Sequence, residues 1–359
     1  MVGIPGVVKF ILKRGIQLFL VTVLAVYVTI LVANMGGYVD EIIKGEIRLQ
    51  VSWSIRNNPQ YKGLPPSEID KLIEQRFKIE LERRGLDKPF IYRSFSYLWD
   101  ALTLNLGRSL FLTSDSGSKQ VRIIILERLP QTVLLFTTAT LLIFFSTVFL
   151  GLYMARNYGG RVDRTVISLT PLSAIPGWFY GIFMIMIFAS WLRILPYGGL
   201  VDVPPPKDPL LYVLSVLKHM ILPLLSWVIA GLFIGSYSYR ALFLIFSTED
   251  FVEVARAKGV PPRKIELNYI FRMALPTVIT RFSLALISSW TGAIITETVF
   301  NWPGLGTLTW AAIGTFDTPI LIGVVIIYAY LLMATILSLD IAYGFLDPRI
   351  RVGGAPHGV

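Results

Sequence analysis

Long apolar runs constrain this chain more than any other feature of its sequence. The first run, from Phe10 to Asn34, holds about 20 mainly apolar residues after Arg14, enough for a helix to cross a hydrocarbon core of about 30 Å. Since 54% of the residues are hydrophobic and 16% are charged, compared with about 25% charged in soluble domains, we predict an all-α polytopic membrane protein with six transmembrane helices. The other five runs lie at about 131–155, 165–191, 219–246, 276–300 and 320–343.

Basic residues beside the apolar runs predict the orientation of the chain. Lys9, Lys13 and Arg14 precede or open the first run, and the short segment 156–164 between the second and third runs holds three arginines and one aspartate. Because Lys and Arg are enriched on the cytoplasmic side of membrane proteins, we predict a plasma-membrane protein with both termini in the cytoplasm. The first run is too long for the apolar part of a cleaved signal peptide, and we expect it to remain as a span.

The distribution of charge divides the chain into four predicted parts. Residues 1–35 form an N-terminal tail and the first span, 36–122 a polar extracellular region, 123–346 a core that holds the other spans, and 347–359 a cytoplasmic tail. The extracellular region is predicted to be partly helical, because residues 67–84 place their apolar side chains on one helical face.

Proline and glycine predict irregular backbone in two places. Pro171, Pro176 and Gly177 lie within the third run, and since proline removes a helical hydrogen bond and clashes with the preceding turn, we expect this span to be kinked or broken. The segment 301–319 is too polar and too short for a further crossing, so we expect it to be external or partly re-entrant.

Several kinds of chemistry are excluded or disfavoured by residue type. The chain has no cysteine and two histidines, so a disulfide or a thiolate metal site is impossible and a histidine-rich metal site is not expected. No GxxxxGK[ST] phosphate-binding loop and no HExxH or GxSxG pattern occurs. We therefore expect no catalytic residue, metal or cofactor in this chain. The net charge of +10 does not require nucleic acid, since basic residues flank the spans.

A charged stretch, residues 248–277, separates the fourth and fifth apolar runs. It carries five basic and four acidic residues, so it has to leave the membrane on one side. Thr248 can cap a short helix with Asp250 in its first turn, and Gly259 followed by Pro261 ends that helix. We expect a short helix, a sharp corner and a second helix that enters the fifth span. This shape suits a rigid lever for a soluble partner; an ordinary basic cytoplasmic loop is the alternative.

Helical periodicity supports the presence of this short helix. Phe251, Val254, Ala255 and Lys258 are spaced i, i+3, i+4, i+7, and therefore share one face of a helix.

Four ionisable residues fall within the predicted spans: Arg240, Arg281, Glu297 and Asp340. Charged groups in a membrane are costly and are candidates for function. Arg240, Glu297 and Asp340 lie near the ends of their spans, where a side chain can reach water or a partner. A transport role and a structural ion pair or hydrogen bond are both open for each of them.

A family resemblance begins in the charged stretch. The sequence EVARAKG at 253–259, followed by a loop and ALP at 274–276, resembles the EAA motif of binding-protein-dependent ABC importer permeases, with Val254 in place of the middle alanine. The chain is most similar to the "B"-type permeases for dipeptides, oligopeptides and nickel. The motifs that fall in the order of that subfamily are GLDKP (85–89), LGRS (106–109), ERLPQT (127–132), IPGWF (175–179), ETVFNWPGLG (297–306) and DPRIR (347–351).

The resemblance implies a type I ABC importer permease fold and a set of partners. These are a homologous "C"-type permease, two cytoplasmic ATPase subunits that bind ATP and Mg, and an external solute-binding protein. It also implies a coupling helix at about 248–260 that contacts an ATPase subunit. The residues assigned to this contact are Glu253, Ala255, Arg256, Lys258 and Gly259. The candidates for the translocation pathway or its gate are Glu297, Trp302, Pro303, Gly304 and Gly306.

Two other classes of function compete with an importer permease. A self-sufficient secondary transporter or channel often shows internal repeats and mid-membrane charges, and neither is evident here. A membrane enzyme would need a catalytic constellation. The resemblance leaves the substrate open among peptides, nickel and oligosaccharides. Residues 36–84 are longer than expected for the subfamily, and one hypothesis is that the region 36–122 docks the binding protein.

Overall fold

The computed structural model describes residues 4–34, 37–61, 63–83, 85–289 and 293–346, and the predicted tail 347–359 lies outside them. The described residues are almost entirely helical, with an isolated antiparallel bridge between Arg108 and Gln120. The helices are α1 (Ile4–Asn34), α2 (Tyr38–Arg56), α3 (Pro66–Arg83), α4 (Phe90–Leu102), α5 (Val121–Arg156), α6 (Arg161–Leu169), α7 (Gly177–Met184), α8 (Pro209–Ser247), α9 (Asp250–Ala257), α10 (Pro262–Lys264), α11 (Arg272–Ser289), α12 (Ile294–Val299), α13 (Leu305–Gly314) and α14 (Thr318–Leu346).

Five helical segments in the described part of the chain are long and apolar enough to cross a membrane. A sixth span results if the bent helix pair between α5 and α8 is taken as one crossing. The predicted all-α membrane fold is therefore confirmed, and the six predicted spans are compatible with this count. The segments are Phe10–Asn34, Val121–Arg156, Pro209–Ser247, Pro262–Ser289 and Thr318–Ile341.

The third span is broken, as its prolines predict. The chain bends by 96° between Arg161–Ala174 and Gly177–Trp191. Pro176 precedes the first residue of α7 with ψ of 147°, and Ile175 before it is also extended. A residue before proline is driven out of the helical conformation by the ring, so this pair of residues accounts for the break.

The fifth span differs from its prediction. The sequence predicts a helix over about 276–300, whereas the apolar helical segment begins at Pro262 and ends at Ser289, and α12 is a separate short helix. Pro262 occupies the first helical position, where its missing N–H would have no partner in any case. A π-helical segment, Ile265–Phe271, then joins α10 to α11. The prediction that 301–319 contains no full crossing is confirmed, because α13 has only 10 residues.

The described residues contact one another in two compact units, and the first combines residues up to 124 with 315–333. Its apolar core joins α1, α4 and α14 through Val26, Ile30, Ala101 and Ile326. The predicted helix at 67–84 is confirmed as α3, which packs antiparallel to α2. The ion pairs Arg48–Glu74 and Arg56–Asp70 set this register, at 3.0 and 3.7 Å.

A buried ion pair joins α4 to α2 in the same unit. The Arg93 guanidinium donates to Asp40 Oδ1 at 2.9 Å and to the carbonyl of Lys88 at 3.0 Å. The hydrogen bond from Arg93 holds the pKa of Asp40 below its usual value, although burial opposes this effect. The pair fixes the start of α4 beside the first turn of α2.

The second unit combines residues 125–314 with those from 334 onward. Its apolar core is built along α8, which packs against α7 and the segment Thr170–Ala174. One part of this core places Trp302, completely buried, among Leu135, Phe136 and Met220. The second unit therefore holds both the predicted coupling helix and the predicted pathway residues.

Candidate functional site

The candidate coupling helix is α9, an eight-residue helix that follows α8 in the chain and precedes the helical segment Pro262–Ser289. Asp250 and Glu253 lie in its first turn, where the helix dipole favours acidic groups. The predicted cap is wrong: Glu249 is the N-cap residue, without a side-chain cap bond, and the Thr248 hydroxyl instead donates to the carbonyl of Ile245 at 3.0 Å. Thr248 ends α8, because its backbone still belongs to the last turn of that helix.

The end of α9 is fixed by backbone hydrogen bonds. Gly259 has φ of 73°, a left-handed conformation that favours glycine. Its N–H donates to Arg256 O at 2.9 Å, and the N–H of Val260 donates to Ala255 O at 3.1 Å. These two bonds form a Schellman motif, so Gly259 ends the helix as predicted and the direction of the following chain is set by the backbone.

One face of α9 is buried against the helical segment that follows it. Val252 and Ala255 are buried and Phe251 is partly buried against Ile265, at the start of the π-helical segment. Val254 is 52% exposed, and Lys258 is exposed as well. The four residues that share one face by periodicity are therefore divided, with Phe251 and Ala255 on the buried side and Val254 and Lys258 exposed.

The structure separates the five residues assigned to the coupling contact. Glu253, Arg256, Lys258 and Gly259 are exposed, whereas Ala255 is buried in the contact with the π-helical segment. The four exposed residues are one acidic residue, two basic residues and a glycine. Such a surface can form charge-assisted hydrogen bonds with a soluble partner.

Two ion pairs connect helical segments of the second unit. Arg156, at the end of α5, pairs with Glu266 in the π-helical segment at 3.2 Å. Arg240 pairs with Asp163, whose other oxygen accepts from the N–H of Gly159 at 2.8 Å. For Arg240 the structure thus favours the structural alternative, a buried ion pair, over a free charge in the span.

The candidate pathway residues converge on the Glu297 carboxylate, which is completely buried. Its Oε1 accepts from Thr132 Oγ1 at 2.7 Å, and its Oε2 accepts from the N–H of Gly306 at 2.6 Å and of Thr307 at 3.1 Å. Thr132 Oγ1 also accepts from the N–H of Leu305 at 2.7 Å. These bonds tie α12, α5 and the first turn of α13 together.

The remaining pathway candidates complete this cluster. Trp302 donates through its indole N–H to the carbonyl of Gln131 at 3.0 Å. Gly304 and Gly306 lie so close to Glu297 that an added Cβ would collide with its carboxylate oxygens. Pro303 is partly buried. Four of the five residues are buried, and together they hold a turn in place; contact with a substrate stays a prediction.

Sequence reasoning missed two groups of contacts. Thr132 and Gln131 lie in the quoted motif ERLPQT, but nothing local marks them as partners of residues about 165 positions away. In the first unit, the buried Asp317 accepts from Ser109 Oγ at 2.5 Å and from the N–H of Phe111 at 3.0 Å. The available signal was the motif LGRS, which ends at Ser109. Among the described residues, no group of three or more His, Asp or Glu side chains could hold a metal ion.

Comparison with known proteins gives the family. Residues 147–352, more than half of the chain, match the family described as binding-protein-dependent transport system inner membrane component. The chain belongs to this family. The permease is 32% identical over 299 residues to the inner membrane ABC transporter permease protein YejB of Escherichia coli O157:H7, covering 82% of this chain and 78% of that relative.

Two further relatives of the permease are similar over comparable lengths. The probable D,D-dipeptide transport system permease protein DdpB of Escherichia coli strain K12 is 31% identical, over 76% of this chain and 84% of the relative. The dipeptide transport system permease protein DppB of Bacillus subtilis strain 168 is 30% identical, over 74% and 81%. The permease is therefore a multi-pass membrane subunit of an ABC importer. Importers of this family also contain a partner permease, ATPase subunits and a binding protein.

Proposed function

We propose that the permease forms a translocation pathway for dipeptides or oligopeptides, together with a homologous "C"-type permease. Two of the relatives above are named for dipeptide or D,D-dipeptide transport, which supports peptides over nickel or oligosaccharides as the substrate class. An external solute-binding protein delivers the peptide. Two ATPase subunits bind ATP and Mg on the cytoplasmic side, where both termini of the permease also lie.

The observation that carries this proposal is the construction of α9. Its exposed face offers Glu253, Arg256, Lys258 and Gly259 to a partner, while Ala255 on the opposite face packs on the helix that becomes the fifth span. A helix held on one side and open on the other can receive a movement and pass it on. We therefore assign the ATPase contact to the exposed face of α9.

The contacts behind α9 give the route by which that movement reaches the spans. Ala255 and Val252 pack against Ile265. Because of this contact, α9 and the start of the fifth span move together. Glu266, the next residue, is paired with Arg156 at the end of α5, which couples the second span to the same movement. ATP binding closes the ATPase subunits, displaces α9 and opens the pathway outward; hydrolysis resets it.

The pathway candidates Glu297, Trp302, Pro303, Gly304 and Gly306 are assigned to a gate support. Their hydrogen bonds fix the turn between α12 and α13 on α5. In this role the buried carboxylate positions the gate and does not itself bind the peptide.

The region 36–122 is assigned to docking of the binding protein. The α2–α3 hairpin exposes Leu49 and Trp53, each 73% exposed, on one face of α2. An exposed apolar pair on a hairpin that also carries many charged residues offers a hydrophobic contact with a polar rim.

The coupling assignment is tested by ATPase association in purified membranes. Glu253→Lys reverses one charge on the exposed face of α9, and we expect co-purification of the ATPase subunits to fall while membrane insertion is unchanged. Glu82→Lys, the same substitution at an exposed position of α3, is the matched control and should retain the ATPase subunits. Equal retention in both variants would refute the assignment. A binding assay with dipeptides on the partner binding protein tests the substrate class.

A further inference from the structure

Helix α4 carries an apolar face that is largely exposed in the described part of the chain. Its exposed residues are Ile91, Tyr92, Phe95 and Trp99, which are 65, 71, 60 and 68% exposed. At about 100° per residue these four positions fall within one arc of about 100° on the helix surface. Two of them are Tyr and Trp, the residues enriched at membrane–water interfaces.

The other two sides of α4, away from this apolar face, differ in what they contact. Ser94 and Ala101 are buried against α1 and the core of the first unit. Arg93, Ser96 and Asp100 form a polar arc on a third side, where Arg93 pairs with Asp40. Around its circumference α4 therefore has a protein-facing side, an exposed apolar side and a polar side. A helix that lies along a membrane surface has its apolar and polar sides arranged in this way.

The contacts of α4 place it beside the membrane-spanning part of α1, not beyond its end. Phe95 stacks on Tyr27 with ring centroids 5.6 Å apart, and the Tyr27 hydroxyl lies 3.2 Å from Ser94 Oγ. Tyr27 is seven residues before the last residue of α1, about 10 Å along the helix at 1.5 Å per residue. This distance from the end of the apolar segment Phe10–Asn34 is close to the depth of roughly 5–10 Å at which interfacial helices lie.

A second span holds the other end of α4. The Tyr330 hydroxyl donates to the carbonyl of Leu102, the last residue of α4, at 2.9 Å. Tyr330 lies within the apolar helical segment Thr318–Ile341. Both ends of α4 are thus fixed against residues inside spans, and α1 itself has exposed apolar residues, which include Leu20, Val21 and Leu24.

We propose that α4 is an interfacial helix embedded in the lipid bilayer, with Ile91, Tyr92, Phe95 and Trp99 facing lipid. The proposal changes the role of one part of the region 36–122, because α4 then anchors that region to the membrane and leaves α2 and α3 to contact soluble partners. It depends on α1 and α14 crossing the membrane and does not depend on the substrate of the importer.

The absence of cysteine permits a direct test with single cysteine variants. Phe95→Cys and Trp99→Cys are labelled with a nitroxide in the complete transporter, reconstituted in phosphatidylcholine vesicles. Collision with oxygen, which concentrates in hydrocarbon, is compared with collision with a polar nickel complex. We expect the oxygen-to-nickel ratio at both positions to exceed that at Ser96→Cys by at least about tenfold, because polar groups are excluded from hydrocarbon.

Two controls calibrate the result. Val21→Cys on α1 is the lipid-exposed reference, and Lys78→Cys on α3 is the water-exposed reference. A high nickel collision rate at Phe95 and Trp99 would place α4 in water and overturn the proposal. Low rates for both reagents would show that a protein partner covers the face, which overturns it as well. Of the labelled positions, only Phe95 makes a packing contact named above, its stack with Tyr27. If loss of this stack impairs folding, Ile91→Cys replaces Phe95→Cys.

Discussion

Replacing Thr132 by Val tests the cluster around Glu297. Valine has nearly the same shape but lacks the hydroxyl that donates to Glu297 Oε1 and accepts from the N–H of Leu305, both at 2.7 Å. The Glu297 carboxylate and the Leu305 N–H, which lose this partner, are both buried, and each unsatisfied buried group costs about 1–3 kcal/mol. Glu297 keeps two backbone donors, so we take a total of about 3 kcal/mol, which is a factor of roughly 150 in an equilibrium constant.

Hydrogen–deuterium exchange is the assay that reports this loss locally. The amides of Leu305, Gly306 and Thr307 donate to the cluster, so their exchange should accelerate by about two orders of magnitude in Thr132→Val. Thr298→Val is the control, because the Thr298 hydroxyl is exposed and bonds only within α12. We expect less than about a threefold change there. Exchange in Thr132→Val within twofold of the unsubstituted protein would refute the reasoning.

Three further predictions follow from other contacts. Asp163→Asn leaves Arg240 without its buried counter-charge, and we expect a loss of about 3 kcal/mol in thermal unfolding measurements; a change under about 0.5 kcal/mol would contradict a buried pair. Arg93 lowers the pKa of Asp40. The ion pair therefore stabilises the fold fully at pH values above the unfolded carboxyl pKa of about 3.9, and this stability is lost as the pH falls through the lower pKa of the folded state. Exchange of α4 amides should therefore be faster in Asp40→Asn at neutral pH and should converge with the unsubstituted protein in acid; a pH-independent difference would contradict this. Trp53→Asp should weaken docking of the binding protein in a co-sedimentation assay and leave ATPase association unchanged, whereas unchanged docking would remove α2 from the contact.

The spans could be predicted from the sequence because apolar length is a local property. A run such as Phe10–Asn34 crosses a bilayer whatever surrounds it, and Pro176 breaks the third span through its own ring. Gly259 likewise ends α9 for a local reason, since its φ of 73° favours glycine. These features needed no knowledge of distant contacts.

The buried face of α9 and the role of Glu297 could not be predicted in the same way. Periodicity groups Val254 with Ala255 on one helical face but does not say which side is buried, and the position of Ile265 in the folded chain makes Val252 and Ala255 the buried residues. An acidic residue in a span indicates a special environment, but only the fold brings Thr132 to Glu297 across 165 positions. The tertiary partners determine these outcomes.

ATP-driven peptide uptake by the reconstituted transporter tests the coupling role of α9 most directly. In Gly259→Pro, the ring fixes φ near −65° where the structure has 73°, and it removes the N–H that donates to Arg256. In Gly259→Ala, the added Cβ meets nothing within 4 Å, and the left-handed strain costs only about 1–2 kcal/mol. We predict that Gly259→Pro abolishes uptake with membrane insertion intact and that Gly259→Ala retains most of it. Full uptake by Gly259→Pro would contradict the assignment of α9 as the coupling helix.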